Sequence, residues 1–280
     1  MMELINFARA HGLILNTLPP IGVWVRVSTT DKPTKKNGAI KWMGEVAFLQ
    51  NHALDDEVVV WHGQAPKGLD PEKIARLAKQ ADDKRAALQK QAAAKAAGLL
   101  NNCQRAMHDY LKAKGFPEEP GNVYVKDGAP YLIIPMRVGS QLVGAQVISP
   151  EGDKKFLYGQ RTKGAEYVFD NKGPHYLCEG YATALSIRAA MKALRMRYTI
   201  HVCFSAQNLL HISKQHDDCF IIADNDVSTT GQRMAEQSGK RWWMPPTVGH
   251  DFNDFHQEVG LFKASQALQK TLRATSQTSQ

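Results

Sequence analysis

Residues 219–231, CFIIADNDVSTTG, form an apolar run that ends abruptly in two acids, Asp224 and Asp226, with one residue between them. A carboxylate buried without a partner is costly, so paired acids at the end of an apolar strand belong in a mouth that solvent or a cation can reach. Two further acidic sets follow apolar segments in the same way. Glu179 closes HYLCEG, and Asp251, Asn253 and Asp254 lie in VGHDFNDF after RWWMPP. A convergence of oxygen donors without cysteine or histidine suits Mg²⁺ or Mn²⁺ better than zinc. One or two such ions can activate an attacking hydroxyl and neutralise charge building on a phosphoryl group. The basic cluster Lys154, Lys155, Arg161 and Lys163 then supplies the complementary pole for phosphates.

Each acid also has a purely local reading. Asp226 with Ser228 and Thr229 is equally well a helix start, because short acids favour turns and N-caps. Glu179 stands where a helix dipole favours a negative charge. Only the combination of the three sets carries the metal expectation.

The elements that would position these residues are legible in the hydrophobic pattern. HYLCEG is followed by YATALSIRAAMKAL, YTIHVCFS by NLLHISKQ, and CFIIADND by GQRMAEQSG. Strands alternating with helices predict a mostly parallel sheet covered by helices, in which ligands bind at the carboxyl ends of the strands. Upstream, PYLIIPMRVGSQLVGAQVISPEGDKKFLYG has apolar runs broken by Gly and Pro turns, as in a meander of strands, after a helical patch CQRAMHDYLKAKG. The stretch from Pro71 to Gly98, rich in Ala, Lys, Gln and Arg, reads as a connecting helix with a thin alanine face. Residues 1 to about 65 read as a small strand-rich module from GVWVRVS, VAFLQ and EVVVWH, with a basic turn-like stretch TTDKPTKKNGAIKWMG between them. The expected organisation is a strand-rich module at 1–68, a helical connector at 69–102, a basic α+β subdomain at 103–170, an α/β domain at 171–270 and a polar tail at 271–280.

In the first module Lys32, Lys35, Lys36 and Lys41 are interleaved with Trp24, Trp42 and Trp61. Cations with aromatics can grip phosphates and stack unpaired bases. A solvated loop over a tryptophan core explains the same residues equally well.

Bulk properties narrow the classes. The 280 residues are 43% hydrophobic, as in a soluble globular protein with a sizeable core, and the formal charge of +8 is compatible with a polyanionic partner. No apolar run approaches the roughly 20 residues of a membrane span, and the start lacks the order of a secretory signal, so a cytoplasmic location is expected. The four cysteines form no CxxC pair, which leaves them reduced and structural. No GxxxxGK[ST] phosphate loop occurs, so a helicase would have to be a separate partner.

CEGYATALSI, IIADND and GHDFND, in this order on successive strand ends, resemble the Toprim domain of bacterial-type DNA primases, particularly those of phages and plasmids. The resemblance covers about residues 105–260, since the segment from Tyr131 to Gly164 looks like the basic subdomain that precedes Toprim in these enzymes. It implies a Rossmann-like Toprim fold and metal-dependent synthesis of short primers from nucleoside triphosphates on single-stranded DNA. By it, Glu179 would assist proton transfer or hold metal, Asp224 and Asp226 would bind the catalytic ions, and Asp251, Asn253 and Asp254 would complete the acidic site. Lys155 would lie near the nucleotide, joined by Lys154, Arg161 and Lys163. Three departures stand out. Thr183 occupies the position four residues after the motif glutamate where related primases often carry an acid, their Asp-Pro-Asp third motif is Asp251-Phe252-Asn253 here, and the first 65 residues contain no cysteine for a zinc ribbon. A Toprim nuclease and a non-catalytic nucleic-acid-binding accessory or counter-defence protein of a mobile element are the alternatives. A topoisomerase would need a further large domain.

Overall fold

The computed structural model describes residues 2–51, 58–64 and 71–277. By internal contacts the chain divides into two compact units, Met1–Ala87 and Leu88–Gln280. The boundary expected at 68/69 lies outside the described residues. No helix among them is long and apolar enough to cross a membrane.

The first unit begins with a helix, α1 (Met2–Ala10), which the strand-rich reading does not anticipate, and continues as β1 (Leu13–Ile14), β2 (Trp24–Thr29), β3 (Gly38–Trp42), β4 (Val46–Asn51) and β5 (Val58–His62). These strands pair consecutively and antiparallel. The basic stretch expected to be turn becomes strand from Gly38 onward, because Ile40 and Trp42 enter the core. One face packs Ile40, Trp42, Ala47, Leu49 and Trp61 against Leu4 and Ala8 of α1. The other carries Trp24, Arg26, Lys41 and Phe48 in cross-strand register. Helix α2 (Pro71–Asn101) follows and contains the division between the units. Its residue Ala78 lies so near Gly22 (φ +78°) that a Cβ there would approach the Ala78 backbone to 2.8 Å. Both the positive φ and the close approach require glycine.

In the second unit β6 (Gln104–Ala106), α3 (Asp109–Ala113), β7 (Gly121–Lys126), β8 (Ala129–Val138), β9 (Gln141–Ile148) and β10 (Lys154–Phe156) build an antiparallel sheet of order β10-β9-β8-β7-β6. The meander is where the sequence puts it, but the helical patch before it gives its first residues to an edge strand, β6, and keeps only α3 as helix. Alternation divides the sheet by face. Ile133 and Ala145 pack against Ala92 and Ala96 of α2, whereas Leu132, Ile134 and Ile148 face the core that follows.

That core belongs to an α/β layer. Strands β11 (Tyr167–Asp170), β12 (His175–Cys178), β13 (Thr199–Val202), β14 (Phe220–Ile222) and β15 (Arg241–Trp243) have the order β11-β13-β12-β14-β15, parallel except for β11. The short apolar runs of β12 to β14 are covered on both faces, as a parallel sheet demands. Helices α4 (Tyr181–Ala193) and α7 (Phe252–Gln277) pack on one face around Leu185, Ile187, Ile200, Phe220, Phe252 and Leu268. Helices α5 (Ala206–Ser213) and α6 (Thr230–Gln237) flank the other, around Leu177, Leu209, Ile221 and Ala235. Each such leucine, isoleucine or phenylalanine, once buried, contributes about 1.5–3 kcal/mol. Helix α7 is interrupted at Gly260 (φ 79°, ψ 159°), then resumes to Gln277, with Leu272 against the core. Residues 271–277, read from sequence as part of the tail, are therefore helical.

Candidate metal centre

The chain leaves β12 through α4 towards β13, jumps back over β12 through α5 to β14, and continues through α6 to β15. The connections after β12 and β14 thus diverge, and in an open α/β sheet the crevice between two such neighbours is where ligands bind. Glu179 directly follows β12, and Asp224 lies two residues beyond β14. The register Leu177↔Ile221 sets them side by side at the carboxyl edge.

Asp224 is half-buried, and its Oδ1 atom is buried without a hydrogen-bond partner among the described residues. Burial first, then the carboxylates of Glu179, Asp251 and Asp226, push its pKa up to about 8, and Lys154 pulls in the opposite direction. Glu179 is raised to about 7 by burial and by Asp226 and Asp251, although the Ala206 backbone N–H at the start of α5 donates to it and favours the charged form. These mutual influences show the acids converging. An orphaned, buried carboxylate oxygen among like charges is a group that a cation would satisfy, so the residues fit a bound divalent ion. The acids do not form a closed cage. Among the described residues no three carboxylates offer oxygens all within 4.8 Å of one another.

Asp226 is engaged locally, as its helix-start reading expects. It accepts from Gly231 N at 3.0 Å, from Thr230 N at 3.3 Å and from the Ser228 hydroxyl. Burial pushes its pKa up, but these hydrogen bonds outweigh that and hold it below the usual value. Thr229, at φ 55°, turns the chain into α6. Gly231 allows α6 to start over the strand end, since a Cβ there would come within 2.5 Å of Asp224 O.

The third acidic set is delivered by a backbone link: Asn225 N donates to His250 O at 3.0 Å and Gly249 N to Asn225 O at 2.6 Å. Asp251 then caps α7, accepting from Asn253 N at 2.6 Å and Asp254 N at 3.0 Å, while Asp254 Oδ2 accepts from Asp251 N at 3.2 Å. Asp254 also pairs with Lys114 at 3.4 Å. Asn253 departs from the expected ligand set. It is fully buried, and its Nδ2 donates to Lys114 O at 2.9 Å and Ser186 Oγ at 3.0 Å, while Oδ1 accepts from Gln257 at 3.0 Å. Both ends of the amide are consumed in tying α7 to α4 and to the chain after α3.

On the basic side, β10 pairs with β9 in the register Lys154↔Ile148 and Lys155↔Val147. Ile148 faces the α/β core and Val147 faces α2, so alternation directs Lys154 towards the acids and Lys155 to the opposite face. The Lys154 ammonium lies 5.6 Å from the Tyr110 ring centroid. Although the residue is exposed overall, lost hydration at its crowded end and then Lys114 lower its pKa, against the pull of Asp251, Asp224 and Asp254. Arg161 and Lys163 lie beside His211 of α5 with Lys214, where burial first and then these cations depress the His211 pKa. Lys114 and Tyr110, whose hydroxyl is buried next to Asp251 and Asp254 without a hydrogen-bond partner among the described residues, join the mouth without any sequence signal.

In the first unit Lys32, Lys35 and Lys36 are exposed in the β2–β3 loop. Trp42, expected to bind nucleic acid, is 7% exposed and its Nε1 donates to Gly44 O at 2.8 Å, so it is core. Trp24, 39% exposed and opposite Lys41, is the solvent-facing indole.

Residues 175–261 match the profile of the family described as the Toprim domain. The matched stretch starts at β12 and takes in Glu179, Asp224, Asp226, Asp251 and Asp254. The chain thus contains a domain of the metal-binding, nucleic-acid-processing class, whose ion is generally Mg²⁺. No curated protein matches the chain.

Proposed function

We propose that the chain is a DNA primase of the phage or plasmid type, joining nucleotides into short primers on a single-stranded DNA template. The observation that carries this reading is the buried, unpartnered Oδ1 of Asp224 beside Glu179 at the sheet's switch point, faced by Lys154 on the neighbouring sheet.

Asp224, Glu179 and Asp226, with Asp251 and Asp254 at the rim, would hold one or two Mg²⁺ or Mn²⁺ ions. Their spacing suits magnesium, which keeps several waters and takes only one or two carboxylates directly. When bound, the ions supply charge neutralisation at the phosphoryl group and a more acidic attacking hydroxyl. Glu179, with its pKa near neutrality, accepts the proton of the attacking 3′-hydroxyl. Lys154 holds the triphosphate over the acids, the part the family resemblance gives to Lys155. The α-phosphate gains the new P–O bond and pyrophosphate leaves. Arg161 and Lys163 with Lys214 form a second cationic patch for template phosphates. Lys32, Lys35, Lys36 and Lys41, with Trp24 in place of Trp42, grip single-stranded DNA in the first unit. In modular terms 1–68 reads template, 69–102 connects, 103–170 positions the nucleotide and 171–270 does the chemistry. A separate helicase would supply the single strand.

The test is incubation with single-stranded DNA, ribonucleotides and Mg²⁺ or Mn²⁺. Short labelled products support a primase, shortened DNA identifies a Toprim nuclease, and a mobility shift alone identifies a binding protein of the accessory or counter-defence kind. Asp224→Asn is expected to abolish synthesis with DNA affinity unchanged. Synthesis that persists in Asp224→Asn refutes the assignment.

A further inference from the structure

Away from the carboxylate mouth, three histidines meet. His175 opens β12, His201 is the third residue of β13, and His216 lies in the turn after α5. The parallel register His175↔Thr199 and Leu177↔His201 places both strand histidines on the face covered by α5. Each of the three offers one ring nitrogen, and these nitrogens all lie within 4.8 Å of one another. His175 Nδ1 and His201 Nε2 are already 2.9 Å apart.

A carboxylate stands behind them. Glu166 Oε2 is 2.7 Å from His201 Nδ1, and its backbone is fixed by paired hydrogen bonds with Arg137 at 2.8 and 2.9 Å. The carboxylate accepts the hydrogen bond from Nδ1–H and leaves the Nε2 lone pair directed into the cluster, the arrangement in which an outer carboxylate orients a metal-ligating histidine. That lone pair is met by the His175 ring. Three imidazoles with centroids 4.3 to 5.1 Å apart repel one another if more than one is protonated, and an ion would replace the His175–His201 hydrogen bond by taking a lone pair from each neutral ring.

We propose that His175, His201 and His216 form a transition-metal site of the zinc class, oriented by Glu166 and distinct from the carboxylate mouth. Tetrahedral zinc with nitrogen ligands at about 2.0–2.1 Å sets the nitrogens about 3.4 Å apart, so the cluster needs adjustments on the order of 1 Å. Three imidazole donors suit zinc, cobalt, nickel or copper and not magnesium. His201 is buried and the other two half-buried, so water completes the fourth position. Four residues of strand, about 13 Å, separate His175 from Glu179. The ion therefore clips β12, β13 and the α5–β14 turn together.

The test uses the untagged full chain, stripped by chelation, with Zn²⁺ titrated by calorimetry and Co²⁺ by visible absorption. The wild type and Asp224→Asn are expected to take up one Zn²⁺ per chain, to give the intense absorption of tetrahedral cobalt, and to melt at higher temperature with zinc. His216→Ala and His175→Ala, with folding checked by circular dichroism, lose that uptake, and Glu166→Gln weakens it about 10- to 100-fold. Absence of stoichiometric uptake by the wild type overturns the proposal. So does uptake that survives in both histidine variants or disappears in Asp224→Asn, or a cobalt spectrum of octahedral oxygen coordination.

Discussion

Asp224 and Asp226, one residue apart, do different things. Asp226 is satisfied by the first turn of α6, while Asp224 keeps a buried oxygen unpartnered and is crowded by like charges. Because Glu179 and Asp224 hold their protons more tightly folded than unfolded, the unfolded chain binds fewer protons as pH rises, and metal-free stability must fall between about pH 4 and pH 8. Thermal melting with a chelator is expected to give a lower midpoint at about pH 8.5 than at about pH 5.5, with Mg²⁺ restoring much of the loss at the higher pH and Asp224→Asn flattening the profile. An unchanged midpoint would mean that the two carboxylates are hydrated. The indoles divide in the same way. Trp42→Ala should destabilise the first unit by about 3–5 kcal/mol, whereas Trp24→Ala should leave folding intact and weaken single-stranded DNA binding in a filter assay. The sequence named Asp224 and Asp226 but not which was free, because the hydrogen bonds that engage Asp226 depend on the turn at Thr229. It also placed Asn253 among ligands, where an amide in a GHDFND run is indistinguishable from one that ties helices together.

At the level of elements, the site follows from the order of β12 and β14 in the sheet. The alternation of apolar runs and helical patterns made these strands legible. Their adjacency was not, since the jump from β13 back over β12 leaves no mark in composition. The same holds for His175, His201 and His216, which share no motif and meet only through register and the turn after α5. Two further elements differ from the pattern: the sequence of α1 falls in a stretch that reads as strand-rich, and that of β6 in one that reads as helix. Both are short and owe their form to tertiary pairing rather than to propensity. Close packing of α6 on the end of β14 gives a test at this scale. Gly231→Ala puts a methyl against Asp224 O, which should cost about 1–3 kcal/mol and displace the carboxylate. The expected result is a lower melting midpoint together with lost nucleotide incorporation, and a variant as stable and active as the wild type would show that the helix start yields.

Over the whole molecule the formal charge is +8, and Lys32, Lys35 and Lys36 are exposed on the first unit's β2–β3 loop. Single-stranded DNA affinity is therefore expected to fall steeply with salt, and replacing Lys32, Lys35 and Lys36 by alanine should lower the slope of log affinity against log salt by roughly 0.7 for each phosphate contact removed. A slope unchanged by the triple substitution would return those lysines to the role of a solvated loop. Net charge is within reach of composition. Which face each lysine takes is not, because it depends on strand register.

That dependence reaches furthest in β10, which contributes only Lys154, Lys155 and Phe156 and is paired on one side alone. Sliding this edge by a single residue would turn Lys154 outward and present Lys155 in its place, along with the neighbouring Asp153 or Phe156 in wrong positions. The Lys154 counter-charge that faces Asp224 and Asp251 thus hangs on three rungs of an edge ladder. Insertions or deletions in the 149–153 hairpin should be far less tolerated than its surface position alone would lead one to expect.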